Sequence, residues 1–258
     1  MPPEEFRAWG HASIDWIARY LAEVERYPVL SRVSPGALRA ELPERAPEGP
    51  EDFARIFGDF ESQIVPAVTH WNHPSFHGYF AVTGSGPGIL GELFAAALNV
   101  NAMIWRSSPA GTELEQHVLE WLRELVGLPA GFSGVILDTA STGTFTALCA
   151  ARHRAYPSSR EAGLWGLPPG RVYASEEAHS SVEKAVIALG LGQEGLRRIP
   201  TDDDFRMRPE ALAAALEDDV ARGIRPVAVV ATVGTTASGY WYANGGGGGG
   251  TGQNGSGG

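Results

Sequence analysis

Three short stretches carry side chains suited to chemistry at the ends of apolar runs. Residues 137–148, LDTASTGTFTAL, bring the four hydroxyls of Thr139, Ser141, Thr142 and Thr144 to a junction between a strand-like run and an alanine-rich helix. A helix N-terminus has unpaired N–H groups and the positive end of the helix dipole, so hydroxyls added there can form an anion site. The alternative is simple capping by Thr139, Ser141 or Thr142, and capping needs only one hydroxyl. Residues 176–185, EEAHSSVEKA, put His179 after a second strand-like run and before a helix. An imidazole there can stack on a flat ring, move a proton, or close the loop as a cap. Residues 231–239, ATVGTTASG, place Thr235 and Thr236 at a third strand end, where they donate into a crevice or serve as small turn residues. Ligands of parallel sheets gather at the carboxyl ends of strands, so three such ends say more together than any one alone.

Two other patterns carry less. GPGILG at 86–91 matches a dinucleotide fingerprint, but Pro87 lies inside the turn and no acidic strand end follows at the required distance. His70, His73 and His77 have helical spacing, but Pro74 interrupts any helix that would align them, so no metal is expected. The net charge of −10 opposes nucleic-acid binding. No apolar run is long enough to cross a membrane, and the acidic N-terminus has no apolar core of a secretory signal. One cysteine, Cys149, fits a reducing, cytoplasmic setting. Of the 20 basic residues only Lys184 is a lysine.

The elements that must position these groups follow from periodicity. Phe6, Trp9, Ile14, Ile17, Leu21 and Val24 form one stripe of a helix over 4–26, and Phe53, Ile56, Phe57, Phe60 and Ile64 one stripe of a second helix. A proline-rich connector joins them, and the pair reads as an arm over 1–78 that needs another surface to cover it. From 79 to 239 short apolar runs (FHGYFAV, GVIL, RVYAS, LRRIP, PVAVV) alternate with helical segments, which predicts an α/β domain with a parallel sheet covered on both faces. One of those helices is expected to begin at Gly111 with a Thr112–Glu115 capping box, to bury Leu114, Val118, Leu122, Leu125 and Val126, and to end at Gly127 and Pro129. Residues 240–258 hold ten glycines in their final fourteen positions, predict disorder, and read as an appended or out-of-frame ending.

Taken together, VTHWNHPSFHGYF, SSPAGTELEQHVLEWL, ASTGTFTALCAAR, ASEEAHSSVEKA and VATVGTT resemble the group II pyridoxal-phosphate decarboxylases of aromatic amino acids, histidine and glutamate. The resemblance runs from the first helix to Gly239. It implies an incomplete large domain of the aspartate-aminotransferase-like fold type I, with pyridoxal 5'-phosphate as cofactor. It further implies a small-molecule L-amino acid substrate, decarboxylation as the activity, and a homodimer wrapped by the N-terminal helices in the complete enzyme. By the same resemblance Ala140 and Ser141 hold the phosphate, His179 stacks on the ring as the catalytic histidine, and Thr236 lies in the cofactor pocket. Trp71, Tyr79 and Phe80 line the substrate side. Val82 stands where aromatic decarboxylases carry threonine, with Thr83 next to it, so the choice of amino acid stays open.

Pyridoxal-phosphate chemistry needs a lysine amine to hold the cofactor aldehyde and an acid to keep the pyridine nitrogen protonated. In the resembling family both lie beyond the point where this sequence turns to glycine. Lys184, over a turn into its helix, is not expected to substitute. The chain as written is therefore expected not to decarboxylate amino acids, and a non-catalytic, self-associating fragment is the alternative reading.

Overall fold

The structure, a computed structural model, describes residues 1–79 and 84–236, so Phe80, Val82, Thr83 and the glycine-rich tail lie outside the described residues. Two compact units divide the chain, Met1–Ala97 and Leu98–Gly258.

In the first unit, α1 spans Pro3–Glu23, with proline in its first turn and Glu4 and Glu5 at the positive end of its dipole. A short α2, Ala37–Glu41, follows Gly36, whose φ of 89° is in the left-handed region. Asp52 caps α3, Phe53–Asp59, by accepting the Ala54 N–H at 3.0 Å. The chain continues through a wide turn, Phe60–Ile64, into α4, Val65–Ala67. There Pro66 supplies no N–H for regular helical bonding. Trp9 packs on Phe53 and Phe57 with ring centroids at 5.2 and 5.7 Å, and Trp16 meets Phe60 edge-on at 4.8 Å. The two amphipathic segments therefore cover part of each other's stripes, and Trp16 joins the stripe read from the sequence. The unit closes with α5, Gly86–Leu98, whose first turns hold the GPGILG sequence in helical form.

The second unit opens with α6, Pro109–Leu125, followed by α7, Ala140–Ala155, and the short α8, Ser159–Ala162. Then β1 (Gly170–Ser175), α9 (Ser181–Ala188), β2 (Leu196–Ile199), α10 (Pro209–Ala221) and β3 (Arg225–Val230) alternate as expected. The strands are parallel in the order β2-β1-β3. Moving outward to β2 and then back across β1 to β3 puts successive crossover helices on opposite faces, as connections of one hand require. Alternation along β1 shows both faces at work. Val172 and Ala174 pack against Leu148 of α7 and Val182, Ala185 and Val186 of α9. Tyr173 points the other way, to Ile199 and to Ala215 of α10. Gly170 starts β1 because a Cβ there would lie 2.6 Å from the Tyr156 hydroxyl.

Three sequence expectations change. First, α6 starts two residues before Gly111, with Ser108 as its cap residue and no side-chain cap bond. The Thr112 hydroxyl turns back to the Ser108 carbonyl, and the Glu115 carboxylate accepts the Ile136 N–H at 2.8 Å, so no capping box forms. The far end is as read: Gly127, at φ 72°, donates to Glu124 and Leu128 donates to Arg123, the paired bonds of a left-handed helix stop. Second, Leu114, Leu122, Leu125 and Val126 are exposed rather than buried, because no described element lies over them. Third, GVIL at 134–137 has no regular secondary structure and joins no strand, and residues 76–79 of FHGYFAV are irregular. A strand needs a neighbour for its peptide groups, and here the Ile136 N–H finds a carboxylate instead.

Candidate active site

The N-terminus of α7 settles which hydroxyl caps it. Thr139 is extended, its Oγ1 accepts the Thr142 N–H at 3.2 Å, and its carbonyl accepts the Gly143 N–H at 3.0 Å. Thr142 Oγ1 lies 3.0 Å from Thr139 Oγ1, and Thr144 donates back to the Ala140 carbonyl at 2.9 Å. Three of the four hydroxyls are thus consumed locally. The Ser141 hydroxyl takes no partner among the described residues, and the N–H groups of Ala140 and Ser141 have no intrahelical acceptor. Capping and anion binding therefore use different residues of the same turn.

His179 stands four residues beyond the end of β1. Its Nδ1 accepts the Ser181 N–H at 3.2 Å and lies 2.9 Å from the Ser181 hydroxyl, so the imidazole caps the start of α9. It does so while forming part of the wall of a cavity of about 220 Å³ between α7 and α9. Ser141 and Phe145 face this cavity from α7, and His179, Ser181 and Lys184 from the α9 side. The structure thus brings Ser141 and His179 together. It also brings Lys184, which the sequence reading set aside. The signal for it was present: Ser181, Lys184, Ala185 and Ala188 fall at i, i+3, i+4 and i+7, one face of a helix. Lys184 makes no ion pair with the described residues, so its positive charge is available to the cavity.

The other candidates lie elsewhere. Thr236 is half-buried, six residues past the end of β3, and is not part of that cavity wall. Because β1 and β3 are adjacent and parallel, His179 and Thr236 both follow carboxyl ends on one edge of the sheet. Trp71 and Tyr79 belong to the first unit, where they stack at 5.6 Å with planes 5° apart, and Phe76 lies 4.8 Å from Trp71. Tyr79 holds a φ of 58°, a strained value for a bulky residue. The neighbouring histidines have separate structural tasks. His70, 1% exposed, bonds the Tyr20 hydroxyl through Nδ1 at 2.9 Å, whereas His73 Nδ1 accepts the Ser75 N–H. Burial, and to a lesser degree the nearby His73, holds the His70 imidazole below the usual histidine range.

Free N–H groups and an unengaged serine at a helix N-terminus, at the carboxyl end of a parallel sheet, suit an anionic group such as a phosphate. Residues 35–243 match the model of the pyridoxal-dependent decarboxylase conserved domain. The chain belongs to the pyridoxal-dependent decarboxylase family. Human histidine decarboxylase is 42% identical over 252 residues, covering 92% of this chain and 37% of that relative. Rice tryptophan decarboxylase 2 is 39% identical over 246 residues, covering 92% of this chain and 49% of its own length. The crystal structure of Catharanthus roseus tryptophan decarboxylase in complex with L-tryptophan superposes with a TM-score of 0.86 at 38% identity, over 93% of this chain and 51% of that one. The chain thus spans half or less of the curated relatives it matches, and its second unit is part of a fold type I domain.

The family's cofactor is pyridoxal phosphate, and the residues present fit its anionic end and one ring face. Ser141, the free N–H groups of α7 and the Lys184 ammonium suit the phosphate, and His179 suits the ring. At the carboxyl end of β1 the buried Ser175 hydroxyl has no hydrogen-bond partner among the described residues, which marks a place where a polar group belongs.

Proposed function

We propose that the complete protein is a pyridoxal-phosphate-dependent decarboxylase of an L-amino acid, an aromatic one by its family resemblance. The observation that carries this is the meeting of Ser141 and His179 in one cavity at the carboxyl end of a parallel sheet. When bound, the cofactor supplies an electron sink that lets the substrate carboxylate leave as carbon dioxide. Ala140 and Ser141 anchor its phosphate, His179 covers its ring, and Thr236 donates into the pocket. The family resemblance assigns Trp71, Tyr79, Phe80 and Thr83 to substrate recognition. A cytoplasmic setting accords with this role.

The chain itself is proposed to be inactive. Its one lysine, Lys184, occupies the helix face beside the phosphate end, and no second lysine exists to hold the cofactor aldehyde. The pure chain, supplied with pyridoxal phosphate and an aromatic L-amino acid, is expected to release no carbon dioxide. Borohydride reduction and peptide mapping then locate any trapped cofactor. A stoichiometric adduct on Lys184 that His179→Ala abolishes would show that the chain has an active centre of its own.

A second reading, self-association through the N-terminal helices, is favoured by one observation. Phe6 and Ile14 of α1 with Leu93 and Phe94 of α5 line an open apolar groove of about 1140 Å³ within the first unit. Light scattering behind size exclusion, with and without cofactor, tests it: a dimer in both conditions supports the reading and a monomer in both removes it.

A further inference from the structure

His179 and Ser181 hold each other in an arrangement that decides which imidazole nitrogen carries the proton. Both donors of Ser181, its N–H at 3.2 Å and its hydroxyl at 2.9 Å, converge on His179 Nδ1. A backbone N–H only donates, so in the neutral ring Nδ1 is the acceptor and the proton sits on Nε2. With Nδ1 bare, the hydroxyl must donate as well, which fixes its rotor. Ser181 is 8% exposed and begins α9, so the helix framework holds both donors in place. The adjacent Ser180 makes no side-chain cap bond. His179 Nε2 takes no hydrogen bond from the described residues, and the ring stands in the cavity wall with Ser141.

We propose that Ser181 is a positioning residue of this site. It fixes His179 as the Nε2–H tautomer, so the imidazole offers the cavity a hydrogen-bond donor and a ring face of set orientation. Locked in this form, His179 serves as a cover and donor rather than as a proton acceptor. That the cavity receives the cofactor rests on the family reading above; the tautomer lock does not.

Two-bond proton–nitrogen correlation spectra of the labelled full chain, taken above the imidazole range of pH, resolve the tautomer of each of the seven histidines. His179 is assigned by the signal lost in His179→Gln. The expected pattern has a pyridine-like Nδ1 and a pyrrole-like Nε2. Ser181→Ala keeps the backbone donor and removes only the hydroxyl, so it is expected to move both nitrogen signals partway toward their mean, and Ser181→Thr to restore them. An Nδ1–H or averaged pattern in the parent chain overturns the proposal without requiring any serine variant to fold. Unchanged His179 signals in Ser181→Ala overturn the assignment of Ser181 as a positioning side chain, because the backbone N–H alone then holds the tautomer. Pyridoxal phosphate added to the parent chain separates the two readings. A ring-current shift at His179 supports the cofactor reading, whereas a locked tautomer with no shift counts against that reading alone.

Discussion

Thr139 and Ser141 sit two positions apart at the start of α7, and the structure gives them opposite tasks. Thr139 spends its hydroxyl on the Thr142 N–H, and Ser141 keeps its own free for the cavity. Thr139→Ala is expected to lower stability by about 1 kcal/mol, the usual effect of losing an N-cap, with pyridoxal-phosphate binding retained. Ser141→Ala is expected to leave the melting temperature near that of the parent and to weaken cofactor binding. Thermal denaturation beside a fluorescence titration with the cofactor separates the two. Composition alone left this open, because any of three hydroxyls could have capped the helix; only the backbone geometry of Thr139 decides it.

At the scale of elements, the second unit is fastened by a buried carboxylate. Asp219, near the end of α10, is fully buried; Arg171 of β1 lies 3.2 Å away and Arg197 of β2 2.8 Å away, and the Tyr173 hydroxyl donates to it at 2.9 Å. One side chain therefore ties a helix to two strands. Asp219→Ala is expected to cost about 3 kcal/mol, the low end for breaking a buried ion pair, since both guanidinium groups keep some contact with water. Denaturant unfolding measures it. The same network makes stability depend on pH at the alkaline end. Burial, then the hydrogen bond to Asp219, pushes the Tyr173 phenol up to about 12 from its ordinary value of 10.0. The folded state thus keeps a proton that the unfolded state gives up earlier. This contribution is full below pH 10 and is lost as pH rises from there to about 12. Tyr173→Phe is expected to flatten the fall in stability across that window. The strand pattern predicted β1, β2 and β3, but nothing in it announced that Asp219, in the run EDDV, faces inward while its neighbours face water.

For the whole molecule the dominant feature is apolar surface that no described element covers. Leu125 of α6 is 80% exposed, and Leu114, Leu122 and Val126 are exposed beside it. The helical period read this face as buried, and in a longer protein of this family further chain is available to cover it. Leu125→Glu is expected to change the stability of this chain by no more than about 0.5 kcal/mol, against a large loss were the face buried. Chemical denaturation of parent and variant checks it.

Periodicity and motif order by themselves determined the alternation of strands and helices in the second unit, the helix stop at Gly127, and the family. Those features depend on local spacing and on backbone preferences that each segment carries with it. The tertiary structure alone decided the rest. It made Thr139 the cap, placed Lys184 beside Ser141 and His179, buried Asp219 between two arginines, and left GVIL without a strand partner. The cap depends on the backbone angles that Thr139 adopts, and the other three on which groups a distant segment brings close; sequence spacing encodes neither.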